Sequence, residues 1–229
     1  MSKRISEISR FKQGRGTGHG KDYLPWIRVS ELNSMGTAES IPDWKHGRMI
    51  QCLSQGEVWT YYYLRFNDNV SDIREQFPLL PINETAEIAE SMGTKGSFNN
   101  NVVMTLDFLV TRTDGTFFGV SVKDSEKSYK ERDRKLFEIQ KEYWKRRGVK
   151  LYLVFKDKLN FVVKSNIEDA LTAYKPKNVF PGDDFSLARH LVANKLIRVD
   201  MTKKIQYEEL IRNLKETNLW KTKALEMGL

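Results

Sequence analysis

The sequence predicts an α/β protein in which a mixed β-sheet packs against helices, followed by a small helical part. Three observations support this fold class. Between about residue 54 and residue 155, the patterns run in the order helix, strand, strand, strand, helix, strand. Two of these strands form a hairpin with one apolar face, and short helical patterns replace strands after about Lys164. We therefore expect one domain over residues 1–160 and a second over residues 161–229.

The first helix and the first strand have clear boundary signals. The tetrapeptide Ser54-Gln55-Gly56-Glu57 has the form of a capping box and predicts a helix that continues to about Phe66. A strand is predicted over Val70 to Phe77, and the proline-bounded PLLP (Pro78 to Pro81) closes it. The following segment, ETAEIAESMGTKGSFNNN (Glu84 to Asn101), is interpreted as irregular, with a loop in its second half, which is rich in Gly and Asn.

A hairpin follows, and its turn fixes a testable register. Thr113-Asp114-Gly115 suits a three-residue loop that ends in a left-handed glycine. Pairing outward from this loop gives one face that is entirely apolar, as a core-facing sheet face requires. That face pairs Leu106 with Val122, Phe108 with Val120 and Val110 with Phe118. On the other face Asp107 lies opposite Ser121 and Lys123 lies diagonal to Asp107, so a carboxylate, a hydroxyl and an ammonium converge.

The elements after the hairpin complete the predicted sheet. A long charged helix is expected from about Ser125 to Arg147, and Gly148 would terminate it. The apolar run Leu151 to Phe155 then predicts a buried strand.

The C-terminal part predicts three short helices and one short strand. The helical stretches are NIEDALTAY, DDFSLARHLVANKL and KKIQYEELIRNLKETNLW. The strand would cover Ile197 to Met201, and the turn-rich break lies at Lys175 to Asp184.

Composition limits the classes of protein that fit. The net charge of +8 favours a polyanionic partner. A single cysteine, Cys52, excludes an internal disulfide and fits a reducing compartment. The N-terminal stretch lacks the apolar run of a signal peptide, and no segment has the length of a membrane span, so we expect a soluble intracellular protein.

The first helix carries an acid, the second strand carries Asp, and the third strand ends in Lys. This order of elements and residues resembles that of the PD-(D/E)xK nucleases. This resemblance implies a restriction-endonuclease-like αβββαβ core. Hydrolysis of a phosphodiester needs a Mg²⁺ ion, for which Mn²⁺ would substitute, held by carboxylates, with a cation near the nucleophile. Glu57 and Asp107 would be the metal ligands, with the carbonyl of Val122 as a third. Lys123 would orient or activate the attacking water, and Ser121 occupies the position where the motif has Asp or Glu.

Two longer stretches resemble a more specific family. GRGTGHGKDYLPW (Gly14 to Trp26) and DIREQFPLLP (Asp72 to Pro81) closely resemble segments of TnsA, the endonuclease family of Tn7-type transposons. The resemblance extends over roughly residues 10–155. Carried over by position, Glu57, Asp107 and Lys123 match the catalytic acid, acid and lysine of that family. A relative in this family has a neutral Gln at the third position of the catalytic motif, so Ser121 would be another neutral residue at that position.

The resemblance to TnsA implies an activity and a set of partners. Members of the family are metal-dependent nucleases that cut one strand at each transposon end and release the 5′ ends. The partners would be double-stranded transposon-end DNA, the TnsB transposase, which cuts and joins the 3′ ends, and the AAA+ regulator TnsC. The implied location is the bacterial cytoplasm, at the nucleoid when the protein is on DNA. The second domain would be winged-helix-like and would bind DNA or one of the protein partners.

Other interpretations of the same residues stay open. Glu57 also fits a purely structural capping role, and Asp107 with Lys123 fits a structural ion pair. The chain as a whole also fits a non-cleaving assembly subunit with a site disabled at Ser121, or a stand-alone restriction or repair nuclease. The N-terminal stretch is interpreted as a flexible basic arm that contacts the DNA backbone or a partner. Its candidate DNA-binding residues are Arg10, Lys12, Arg15 and Lys21.

Overall fold

In the computed structural model, residues 5–32, 37–94, 102–216, 220 and 222–223 are described. The chain forms two compact units. The first contains the residues up to Pro42 together with Arg48–Leu159, and the second contains Asp43–Gly47 and the residues from Asn160 onward. Within the described residues, no helix has both the length and the apolar character needed to cross a membrane.

The first unit opens with elements that the sequence did not predict. They are helix α1 (Glu7–Lys12), two 3-10 turns (Gly20–Asp22 and Val29–Glu31) and the antiparallel strands β1 (Glu39–Pro42) and β2 (Met49–Cys52). Helix α2 (Gln55–Arg65) follows, with Ser54 as its N-cap, as the sequence predicts. These elements place the first turn of α2 beside the main sheet.

The main sheet has four strands in the order β3-β4-β5-β6, antiparallel except for the parallel β5–β6 pair. Its elements are β3 (Val70–Pro78), α3 (Ile82–Ser91), β4 (Thr105–Arg112), β5 (Phe117–Lys123), α4 (Glu131–Lys145) and β6 (Lys150–Phe155). Helix α2 packs on one face, where Gly56 lies against Val122. Helices α3 and α4 cover the other face through a cluster that includes Ile88 and Ile139. The predicted mixed α/β core is confirmed.

Two predictions about helices were wrong. The segment interpreted as irregular begins with α3, because Thr85, Ile88 and Ala89 form a buried stripe at helical spacing. Its predicted loop falls largely on residues 95–101, which lie outside the described residues. Helix α4 begins at Glu131 instead of Ser125. Ser125 and Ser128 bond to each other's backbone in a turn, which competes with helix formation.

The hairpin register is confirmed near its turn and differs at its far end. Phe108 pairs with Val120 and Val110 with Phe118, as predicted. Leu106 packs in the same cluster as Leu109. In a regular strand, residues three positions apart point to opposite faces, and Leu106 would share the face of Phe108 instead. The strand therefore changes face across Asp107, and the prediction of one continuous apolar face was wrong at this step.

The second unit is helical in the described residues. Its helices are α5 (Phe161–Leu171), α6 (Asp184–Ala193) and α7 (Tyr207–Glu216), so the three predicted helices are confirmed. The strand predicted at Ile197 to Met201 was wrong. The carbonyl of Met201 accepts a hydrogen bond from the Asn166 side chain instead of from a neighbouring strand. Within its described residues, the second unit contains no strand that could form a wing.

Candidate active site

Glu57 lies in the first turn of α2 and is buried, with about 6% of its surface exposed. Ser54 Oγ caps the helix by accepting from the Glu57 N–H at 3.2 Å, and it donates to Glu57 Oε1 at 2.9 Å. The other oxygen, Oε2, accepts from the Leu53 N–H and from Gln76 Nε2, each at 2.9 Å. The carboxylate therefore belongs to the cap, but it is also held by a side chain of β3.

Asp107 lies on β4 and turns toward β5. Its Oδ2 accepts from the Val122 N–H at 2.6 Å and from Ser121 Oγ at 3.4 Å. Oδ1 accepts no hydrogen bond from the described residues. Because the N–H and C=O of one residue point to the same edge of a strand, the Val122 carbonyl faces the same side. The structure thus brings Asp107, Ser121 and Val122 together.

Lys123 ends β5, and its ion pair is with a residue that the sequence interpretation did not consider. Its Nζ lies 3.6 Å from Asp133 Oδ1 on α4, and both side chains are about one third exposed. The second oxygen of Asp133 accepts from the Lys130 N–H at 3.2 Å, as part of the cap of α4. The ammonium of Lys123 still acts on Asp107 through its charge.

The pKa values of both carboxyl groups are raised, mainly because both groups are buried. For Glu57, burial and the nearby Asp107 raise the pKa to about 8, against hydrogen bonds from Leu53, Ser54 and Gln76 that lower it. For Asp107, burial raises the pKa, although the Val122 N–H, Lys123 and Ser121 lower it. Two adjacent carboxylates that resist ionising together are stabilised when a divalent cation binds between them.

The donor atoms at this position fit a hard divalent cation. Within the described residues, no group of three or more His, Cys, Asp or Glu side chains is arranged to hold a metal. The donors are the carboxylates of Glu57 and Asp107, the carbonyl of Val122 and the hydroxyl of Ser121. Two carboxylates balance the charge of one divalent ion, and an all-oxygen set with water completing the shell suits Mg²⁺ or Mn²⁺.

The N-terminal segment differs from the flexible basic arm predicted for it. Arg10 and Arg15 are buried, and both form ion pairs with Glu31. Arg10 also pairs with Glu7, so two carboxylates balance the two guanidinium groups within the fold. Lys12 and Lys21 are exposed and stay candidates for DNA contact. The segment folds onto the first unit instead of extending from it.

The structure adds one polar residue of β3 to the site. Gln76 is almost fully buried and contacts Glu57 directly, but the sequence pattern treated it only as part of a strand. No clear signal in the sequence singles it out, because β3 (VSDIREQFP) contains several other polar and charged residues. The adjacent Glu75 has a structural role, since it forms a buried bidentate pair with Arg48.

Comparisons with known proteins identify the family of the chain. Residues 67–156 match the family described as "TnsA-like endonuclease N terminal". This span runs from just before β3 through β6 and includes Asp107 and Lys123, whereas Glu57 precedes it. The chain is also 40% identical over 163 residues to the Transposon Tn7 transposition protein TnsA of Escherichia coli. That alignment covers 69% of this chain and 59% of the relative, so the chain spans less than two thirds of the relative's length. On both matches, the chain is a TnsA-type protein that carries a TnsA-like endonuclease domain.

Proposed function

We propose that this chain is a Mg²⁺-dependent DNA endonuclease that hydrolyses the 5′ strand at each end of a transposon during cut-and-paste transposition. The observation that carries the proposal is the pair of neighbouring carboxyl groups, Glu57 and Asp107, whose pKa values are both raised. Such a pair in a purely structural role would destabilise the fold without a compensating partner. The match to the TnsA-like endonuclease domain supports the same reaction class.

Glu57, Asp107 and the Val122 carbonyl would hold the metal. When bound, Mg²⁺ polarises the phosphoryl oxygen and lowers the pKa of a water, and Mn²⁺ would substitute for it. The protein's contribution is to fix the donors. The hydrogen bond from the Val122 N–H holds Asp107 Oδ2, and this leaves Oδ1 for the metal. The bonds from Leu53 and Gln76 hold Glu57 in one orientation.

Lys123 would orient the attacking water or stabilise the developing negative charge. The ammonium lies on a side chain that is about one third exposed, at the end of β5 and one residue beyond the Val122 carbonyl. Its Nζ pairs with Asp133, and its charge also lowers the pKa of Asp107. Ser121 would be a passive small residue, because its hydroxyl donates to Asp107 only at a long distance of 3.4 Å.

Double-stranded DNA at the transposon ends would be the substrate, with the TnsB transposase and the TnsC regulator as partners. The net charge of +8 and the exposed Lys12 and Lys21 favour contact with the phosphate backbone. With these partners, the protein would act in the bacterial cytoplasm, at the nucleoid when it is bound to DNA.

Strand-specific cleavage of labelled transposon-end DNA tests this function. The reaction would contain the protein with its cognate TnsB and TnsC in Mg²⁺, with Asp107→Ala as the matched control. We expect 5′-strand cuts that vanish in the control. If 3′-strand cutting and joining proceed while neither protein cuts the 5′ strand, the chain is an assembly subunit. Robust cutting of plain DNA by the isolated chain would instead indicate a stand-alone nuclease.

A further inference from the structure

The two sequence stretches that most resemble TnsA contact each other in the structure. The Trp26 N–H donates to the Gln76 carbonyl at 3.2 Å, and the Tyr23 hydroxyl donates to the Glu75 carbonyl at 2.8 Å. Gly16 lies so close to Pro78 that an added Cβ would be 2.3 Å from the proline ring. The N-terminal segment Gly14–Trp26 therefore packs along the end of β3.

The backbone of β3 has an uncommon conformation at this point. Gln76 has a φ of 47°, in the left-handed region that a residue with a side chain seldom adopts. It lies between the register pairs Glu75–Phe108 and Phe77–Leu106, directly across from Asp107. Such a conformation persists only where the surrounding contacts enforce it, and it occurs preferentially at functional sites. Here it coincides with the step at which β4 changes face.

The side chain of Gln76 connects this conformation to Glu57. Its Nε2 donates to Glu57 Oε2 at 2.9 Å, and its Oε1 accepts from the Thr105 hydroxyl at 3.1 Å. Because Thr105 donates to the oxygen end of the amide, the NH₂ end is directed to the carboxylate. A buried amide with both ends bonded has one orientation.

We propose that Gln76 is the positioning residue of this site. It holds the Glu57 carboxylate in the orientation that binds the metal, and the segment Gly14–Trp26 keeps Gln76 in its left-handed conformation. This inference rests on the proposed metal-dependent function. It assigns a role to both family-like stretches, which lie outside the acid, acid and lysine of the motif. Groups that orient a metal ligand typically change metal affinity or activity by about 10- to 100-fold when they are removed.

Mn²⁺ affinity of the purified full chain, measured by calorimetry without DNA, tests the inference. Gln76→Gly removes the amide and also relieves the backbone strain, since glycine readily adopts positive φ. We expect the variant to fold in the absence of metal, and its Mn²⁺ affinity to be lower by about 10-fold or more. The matched control is Lys195→Gly, which relieves another left-handed residue, with φ of 55°, in the second unit. It should leave Mn²⁺ affinity unchanged.

Each outcome decides between the two proposals. Wild-type Mn²⁺ affinity in Gln76→Gly, together with loss of affinity in Asp107→Asn, would overturn the role of Gln76 and leave the proposed function standing. Absence of Mn²⁺ binding by the wild type would overturn both. If Gln76→Gly does not fold, the Thr105→Val variant tests the role of Gln76 in its place. It removes only the hydroxyl that orients the amide, so it should weaken Mn²⁺ binding by a smaller factor, and unchanged affinity would contradict the inference.

Discussion

The first unit contains two groups of buried charges that are built in opposite ways. In the N-terminal charge cluster, Arg10 and Arg15 both pair with Glu31. In the carboxylate pair, Glu57 lies near Asp107, and two like charges would be buried together. Burial raises the pKa of Glu31, but the hydrogen bonds from the two arginines outweigh it and lower the pKa overall. The pKa values of Glu57 and Asp107 are both raised.

The direction in which the pKa of a buried carboxylate is shifted distinguishes structural from functional charges. A buried carboxylate whose pKa is lowered has found its partners within the chain, and removing a partner should affect stability. A buried carboxylate whose pKa is raised lacks such a partner, and a ligand from outside the chain can supply it. By this criterion the N-terminal arginines have a structural role, whereas Glu57 and Asp107 are candidates for binding a cation.

The largest effect is expected when the carboxylate pair is broken. Asp107→Asn should abolish DNA cleavage, because under the proposed function it removes a metal ligand. It should also leave the metal-free protein at least as stable as the wild type, since the Val122 N–H keeps an acceptor while the like charge is lost. Cleavage assays and metal-free thermal melts measure the two effects. A variant that both cleaves DNA and melts as the wild type would remove Asp107 from the site.

The next largest effect on the rate of cleavage should distinguish Lys123 from Ser121, two polar residues of β5. Lys123→Ala should lower the rate of cleavage by about 10²- to 10⁴-fold, the usual contribution of a positioned acid–base group. Ser121→Ala should cost less than about tenfold, because it removes only one weak hydrogen bond to Asp107. The two variants are compared by their single-turnover cleavage rates at saturating Mg²⁺. Equal losses would restore Ser121 as a ligand.

Much of the fold was predictable because its signals are local. The cap at Ser54, the alternation in β4 and β5, and the turn at Gly115 each depend on a few neighbouring residues. The same local patterns place Glu57 on a helix and Asp107 beside Ser121. The approach of Asp107 to Val122 then follows from the register of a tight hairpin.

The parts that sequence patterns missed depend on long-range contacts. Arg10 and Arg15 look like free cations in the sequence, but Glu31 lies 21 and 16 residues away from them. The left-handed φ of Gln76 has no local signal either, because glycine is the residue that usually marks this conformation. The change of face at Leu106 lies beside the same distortion, since Leu106 pairs with Phe77. Tertiary packing decides all of these features.

A smaller effect is expected in the N-terminal charge cluster, and it should appear in stability. Arg15→Leu removes a buried guanidinium that bonds Glu31, the Trp26 carbonyl and the Gln13 side chain. The free energy of unfolding should fall by about 2–3 kcal/mol, as for a buried hydrogen bond to a charged group. The exposed Lys12→Ala should change it by less than about 0.5 kcal/mol. Urea denaturation measures both, and equal stabilities would show that the burial of Arg15 contributes nothing.

The smallest effect concerns pH and follows from the lowered pKa of Glu31. In the unfolded chain its pKa has an ordinary value of about 4.5, and in the folded protein it is lower. The ionised form therefore stabilises the fold fully above pH 4.5, and this contribution is lost as the pH falls through the folded pKa. Glu31→Gln cannot lose a charge, so its stability deficit relative to the wild type should shrink between pH 7 and pH 3. Urea denaturation at several pH values measures this deficit. A constant deficit would mean that Glu31 contributes through packing, and the contrast with the carboxylate pair would then rest on Glu57 and Asp107 alone.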